Sequence, residues 1–115
     1  MYRSTTWRRA TMDAAFNAGM RAHVVRAVAA GTPLPDAMAE FGLPHEVAYG
    51  RARWDMEFRN ALYSALMAGR DSDLRHGSAW TYDHYGCRCP ECQATQHGCT
   101  GARRWLEDQS AHPQP

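Results

Sequence analysis

The densest chemistry in this chain lies between His76 and Cys99. The run reads His76-Gly77-Ser78-Ala79-Trp80-Thr81-Tyr82-Asp83-His84-Tyr85-Gly86-Cys87-Arg88-Cys89-Pro90-Glu91-Cys92, with His97 and Cys99 close behind. All four cysteines of the protein fall within 13 consecutive residues. Such clustering points either to disulfides in an oxidising compartment or to a metal site in a reducing one. The N-terminus is basic, but no apolar h-region follows it, so no secretory signal is recognisable and a metal is the expectation. Cys-x-Cys also suits a disulfide poorly, because a bridge needs a Cα separation and dihedral that so short a loop rarely allows. Zinc asks for four soft or borderline ligands converging tetrahedrally, and Gly86, Pro90 and Gly98 permit the tight reversals that bring them together. Cys87, Cys89 and Cys92 are the direct candidates. Spacing alone leaves the fourth ligand open among Cys99, His84 and His76.

A catalytic zinc keeps one position for water and needs a general base nearby. Glu91 and Asp83 are close in sequence, but four protein ligands leave no open position, so the expected site is structural, with one Zn²⁺ per chain. No Ser-His-Asp constellation, P-loop or dinucleotide fingerprint is present, and an enzyme is not expected. His23, His45, His97 and His112 are expected to be exposed or packed rather than ligating.

Helical patterning must position this segment. Thr11 is an expected N-cap with Asp13 in the first turn, followed by Phe16, Met20, Val24, Ala27 and Val28 at helical spacing until Gly31. Pro35 then opens a short helix through Phe41 that Gly42 ends. Leu43-Pro44 restarts the chain for a third helix to about Arg53, and a fourth takes in Asp55 to Ala68 before Gly69, with Phe58, Leu62, Ala65 and Leu66 on one face. The expected division is a basic arm over 1–10, a helix-turn-helix body over 11–70, a zinc module over 76–108 and a disordered tail over 109–115. Within the module, Thr100 to Asp108 is expected to add a short helix that folds Trp105 and Leu106 onto the zinc loop. The fold class is therefore all-α: a bundle of about four helices followed by a short irregular zinc-stabilised loop.

Composition bounds the partners. The 115 residues carry 13 basic and 12 acidic side chains, a net charge of +1, which excludes a blanket polycation, and 44 % hydrophobic content excludes full disorder. No apolar run is long enough to cross a bilayer, so a soluble, cytoplasmic protein without a membrane partner is expected. All the basic residues are arginine. They are unevenly spread: residues 1–34 hold five arginines against one acid, and residues 35–60 hold five acids against three arginines. Nucleic-acid contact is therefore expected to lean on the N-terminal arm, through Arg3, Arg8 and Arg9.

Two resemblances extend this reading. Val28-Ala29-Ala30-Gly31, Ala37-Met38-Ala39-Glu40-Phe41-Gly42-Leu43, Val47-Ala48-Tyr49 and Asp55-Met56-Glu57-Phe58 together resemble the homeodomain-like helix-turn-helix domains of small phage proteins and terminase small subunits. That resemblance implies duplex DNA as partner and a recognition helix presenting His45, Glu46, Tyr49 and Arg53. It departs from the pattern at Pro44, Gly50 and Arg51, with Trp54 placed to supply the aromatic missing at 51. A face with Glu46 and little cationic character leaves a second expectation, a scaffold that no longer reads DNA and binds a host protein. The run from His76-Gly77 through Tyr82 or Tyr85 to Gly86-Cys87-Arg88-Cys89-x-x-Cys92 resembles a His-Gly…Gly-Cys-Arg-Cys-x-x-Cys module of small actinobacterial and actinophage proteins. There the leading His and three Cys recur together, which implies His76, Cys87, Cys89 and Cys92 as the ligand set.

Overall fold

Asn17 sets the start of the helical body, because its side-chain oxygen accepts from the Met20 N–H at 3.0 Å and so caps α2 (Ala18–Ala29). The expected continuous helix from Thr11 is thus broken at Phe16-Asn17. Thr11 caps nothing: it lies inside a separate helix, α1 (Thr5–Ala15), and its hydroxyl donates to the Trp7 carbonyl at 3.0 Å. A computed structural model describes residues 5–111 of the chain. Arg3 and residues 112–115 of the expected tail lie outside them. Beyond α1 and α2 follow α3 (Leu34–Ala39), α4 (His45–Ala52), α5 (Met56–Ala68), α6 (Ala79–Tyr85), α7 (Pro90–Gln93) and α8 (Thr100–Ala111). Among the described residues there are eight helices and no strand. The all-α expectation therefore holds, whereas the count of about four does not, and the segment after Gly69 is largely helical rather than an irregular loop. Helix α8 also runs through Gln109, Ser110 and Ala111, which were expected in the tail. No helix among the described residues is long and apolar enough to cross a membrane.

The body is built on α2 against α5. Val24 and Val28 from α2 meet Phe58, Leu62 and Leu66 from α5, and Phe16 stands edge-on to Phe58 with ring centroids 5.5 Å apart. Leu34, Ala37 and Met38 of α3 and Ala48 and Ala52 of α4 close the core. Helix α3 ends as a Schellman turn: Leu43 N–H donates to Met38 O at 3.2 Å and Gly42 N–H to Ala39 O at 2.9 Å, which needs the left-handed backbone of Gly42 (φ +69°). The chain thus passes from α3 to α4, two short helices, through one tight turn.

Helix α5 begins at Asp55, whose carboxylate accepts from Phe58 N–H at 3.1 Å. The same carboxylate pairs with Arg51 at 2.7 Å, and Arg51 also binds Asp13 of α1. Arg51 is buried, with its guanidinium 4.2 Å from the Trp54 ring centroid. This arginine, out of pattern in the sequence, joins α1, α4 and the start of α5. Burial works against its charge, and the bonds to Asp13 and Asp55 outweigh that and raise its pKa.

Candidate metal centre

The chain leaves α5 at Gly69 and turns at Asp71, whose carboxylate accepts from Asp73 N–H at 2.9 Å. His76 follows, and Gly77 (φ +81°) redirects the backbone into α6, capped by Ser78 Oγ accepting from Trp80 N–H at 3.2 Å. Thr81 is buried and donates to Arg75 O, which holds α6 against the strand of chain carrying His76. Gly86 (φ +66°) then reverses the path so that Cys87 returns beside His76. Cys89 sits at the N-cap of α7 with Pro90 at the first helical position, where a missing N–H costs nothing. Cys92 lies three residues on, one helical turn away and on the same face.

These turns converge four side chains. The ligand atoms of His76, Cys87, Cys89 and Cys92 all lie within 4.8 Å of one another. His76 Nδ1 is 3.4 Å from Cys87 Sγ, 3.6 Å from Cys89 Sγ and 3.5 Å from Cys92 Sγ. A tetrahedral ion with metal–sulfur bonds of about 2.3 Å and metal–nitrogen bonds of about 2.0–2.1 Å demands N···S separations of about 3.5–3.6 Å. The arrangement is compatible with one structural metal ion. His76 Nε2 donates to the Asp71 backbone oxygen at 2.6 Å, so the neutral ring keeps its lone pair on Nδ1, facing the three sulfurs.

The electrostatics match the geometry. Burial pushes the Cys87 thiol up to about 12, with the adjacent Cys89 adding to it. Burial also works against the Cys89 thiolate, but the Cys92 N–H and the Arg70 guanidinium outweigh it and lower its pKa. Arg70 stands at the edge, 3.5 Å from Cys89 Sγ and bonded to Glu91. Three thiolates, a neutral imidazole and a divalent ion sum to one negative charge, and Arg70 is placed to offset it.

The two other candidates for fourth ligand stay outside the cluster. His84 stacks on Trp80 with centroids 3.5 Å apart, and Cys99 follows α7, its N–H donating to Gln96 O at 3.4 Å. Trp105 packs against Tyr63 of α5, at 5.8 Å between centroids, and Leu106 lies against the same core of the body rather than on the metal loop as expected. Sequence reasoning missed Arg70 and Gln93. Neither carries a local signal for its role here, since Arg70 reaches Cys89, 19 residues away, and Glu91, 21 residues away, and Gln93 reaches Tyr49, 44 residues away.

The residues expected to touch DNA divide. Arg8 and Arg9 are exposed on α1, and Arg9 lies over the Trp54 ring at 4.9 Å, next to exposed Arg53 at the end of α4. His45 is exposed and paired with Glu46 at 2.9 Å. Tyr49 turns toward the metal segment instead, where its hydroxyl accepts from Gln93 Nε2 at 3.1 Å. Burial first, and Tyr63 nearby, push its pKa up to about 12. No protein-family model, no characterised protein and no solved structure matches the chain.

Proposed function

We propose that this is a duplex-DNA-binding protein whose helix-turn-helix body carries the contact and whose His76/Cys87/Cys89/Cys92 site holds one structural Zn²⁺. The observation that carries the first half is Arg9 stacked over Trp54, because it brings the basic residues of α1 to the end of α4 that bears Arg53. Arg8, Arg9 and Arg53 then neutralise phosphates beside His45, with Arg3 as a further contact. Four close donors, three of them sulfur, favour zinc as a structural ion, in keeping with a reducing cytoplasm and a non-catalytic role. The resemblances make the protein a phage-type regulator or terminase-small-subunit-like factor.

A mobility shift with random duplex across a salt series tests this. Replacing Arg3, Arg8 and Arg9 by Ala is expected to make the salt slope shallower by about 0.9 per lost contact, for all sequences alike. An arm variant that binds duplex as well as wild type at every salt concentration overturns the reading. The Glu46–His45 pair favours the second reading, a host-protein-binding scaffold, because it sets an anion at the start of α4. Stoichiometric capture of one protein, with no DNA retardation at low salt, installs that alternative.

A further inference from the structure

Between α4, α5 and the metal segment lies a cleft of about 920 Å³. Arg53, Arg59, Arg70, Arg88 and Arg104 line it against a single acid, Asp71. Arg70 is answered by Glu91. Among the described residues, no ion pair joins the other four to a carboxylate. Arg59 reaches only the sulfur of Met56, and Arg88 donates to the carbonyls of Tyr82 and Cys87. Four guanidinium groups lining one cleft repel one another, and an anion between them relieves that repulsion. Their planar forks match phosphate oxygens.

Aromatic rings share the cleft with these cations. Tyr49, Tyr82 and Tyr85 also line the cleft, and Tyr85 is 62 % exposed. The Arg88 guanidinium lies 3.6 Å from the Tyr82 ring centroid, a flat surface already assembled for stacking. The wall is rigid for a stated reason: Arg88 sits between two metal ligands, and Gln93 ties Tyr49 to the Arg88 carbonyl at 2.6 Å.

We infer that this cleft takes unpaired nucleotides of a nucleic-acid strand, their phosphates on Arg59, Arg88 and Arg104 and a base on Tyr85. Cations together with aromatic faces are what a single strand meets, since its bases offer free faces to stack. A duplex keeps those faces inside its own stack. The volume falls within the about 300–1,000 Å³ of ordinary ligand pockets, a size for a few nucleotides rather than a double helix. This inference rests on the reading of the protein as nucleic-acid-binding, and it adds a site that adjoins the Arg8, Arg9 and Arg53 surface at Arg53, with Arg59, Arg88, Arg104 and Tyr85 belonging to the cleft alone.

Fluorescence anisotropy of the zinc-loaded full chain tests it, with labelled short oligothymidylate, a hairpin duplex and thymidine monophosphate as three probes over a salt series. Oligothymidylate is expected to bind with a salt slope that becomes shallower by about 1.4 in the Arg59→Ala/Arg104→Ala variant, two contacts at about 0.7 each for single strands. Tyr85→Ala, at an exposed position that leaves folding intact, is expected to weaken binding about tenfold with the slope unchanged. Duplex affinity is expected to survive both variants. Retained zinc and helicity establish that each variant is folded. Oligothymidylate binding unaltered by both variants overturns the inference, as does thymidine monophosphate binding as tightly as the strand, or duplex affinity falling in parallel with strand affinity. A strand-binding protein that ignores duplex sinks the helix-turn-helix proposal and leaves this one standing; a duplex binder blind to oligothymidylate does the opposite.

Discussion

His76 Nε2 donates to the backbone oxygen of Asp71 at 2.6 Å, and this bond decides which ring nitrogen meets the three sulfurs. His76→Ala removes both the Nδ1 donor and the bond that orients it. Zinc affinity is expected to fall by more than the about 10–100-fold that loss of an outer partner costs. Cys99→Ser is expected to keep one zinc per chain. Competition against a chromophoric chelator reads both, and a reversed pattern makes Cys99 the ligand.

Removing the metal is expected to unravel α6 and α7 and to spare α2 to α5. The core of the body contains none of the ligands, and structural zinc in small finger peptides contributes apparently about 10–16 kcal/mol to their folding. Far-ultraviolet circular dichroism before and after chelation checks this, together with amide hydrogen exchange of α2 and α5. Loss of the entire helical signal in one transition contradicts it.

Asp55 gives the protein an acid limit. Burial opposes its carboxylate, yet the Phe58 N–H and the Arg51 guanidinium together lower its pKa below the ordinary 3.8. A carboxylate lowered on folding contributes stability that is present above its unfolded pKa and lost as pH falls through the folded value. Denaturant midpoints of wild type are therefore expected to fall below pH 3.8, and Asp55→Asn to show a flatter acid limb. Above that pH, Asp55→Ala is expected to cost about 0.5–2 kcal/mol for the cap alone. Identical acid limbs in wild type and Asp55→Asn rule the mechanism out.

Gly69 touches α2 so closely that a side chain has no room. A Cβ built there lies 2.0 Å from the Val28 backbone oxygen and 3.0 Å from the Gly31 nitrogen. Neither neighbour is a flexible side chain, so Gly69→Ala is expected to destabilise by about 1–3 kcal/mol through forced separation of α2 and α5. Gly50→Ala, with nothing within 4 Å of the added atom, serves as the control. Equal melting temperatures for the two variants refute the packing argument.

What was legible in the sequence was what is written locally. Gly42 with Leu43 announced the turn before α4, Asp55 announced α5, and the Cys-x-Cys-x-x-Cys run announced three donors that the fold does bring together. The break at Asn17 was hidden because Phe16 packs on the same core as Val24 and Val28, so apolar spacing continues across a boundary that the chain does not honour. An Asn cap followed by Gly19 was the available signal. Helix α6 was overlooked although Ser78 and Gly86 bracket it as cap and stop. Arg51 is readable only in half: its pairing with Asp55 follows i,i+4 spacing, whereas Asp13 lies 38 residues away and no local pattern encodes a bond over that distance.

The metal segment is anchored at both of its ends, by Gly69 against Val28 and by Trp105 against Tyr63. A tethered loop has already lost much of the wandering freedom that a free tail surrenders when it closes, and the remaining cost grows only with the logarithm of its length. Bringing the four donors of this segment together therefore costs less order than the same residues would pay on a free chain end.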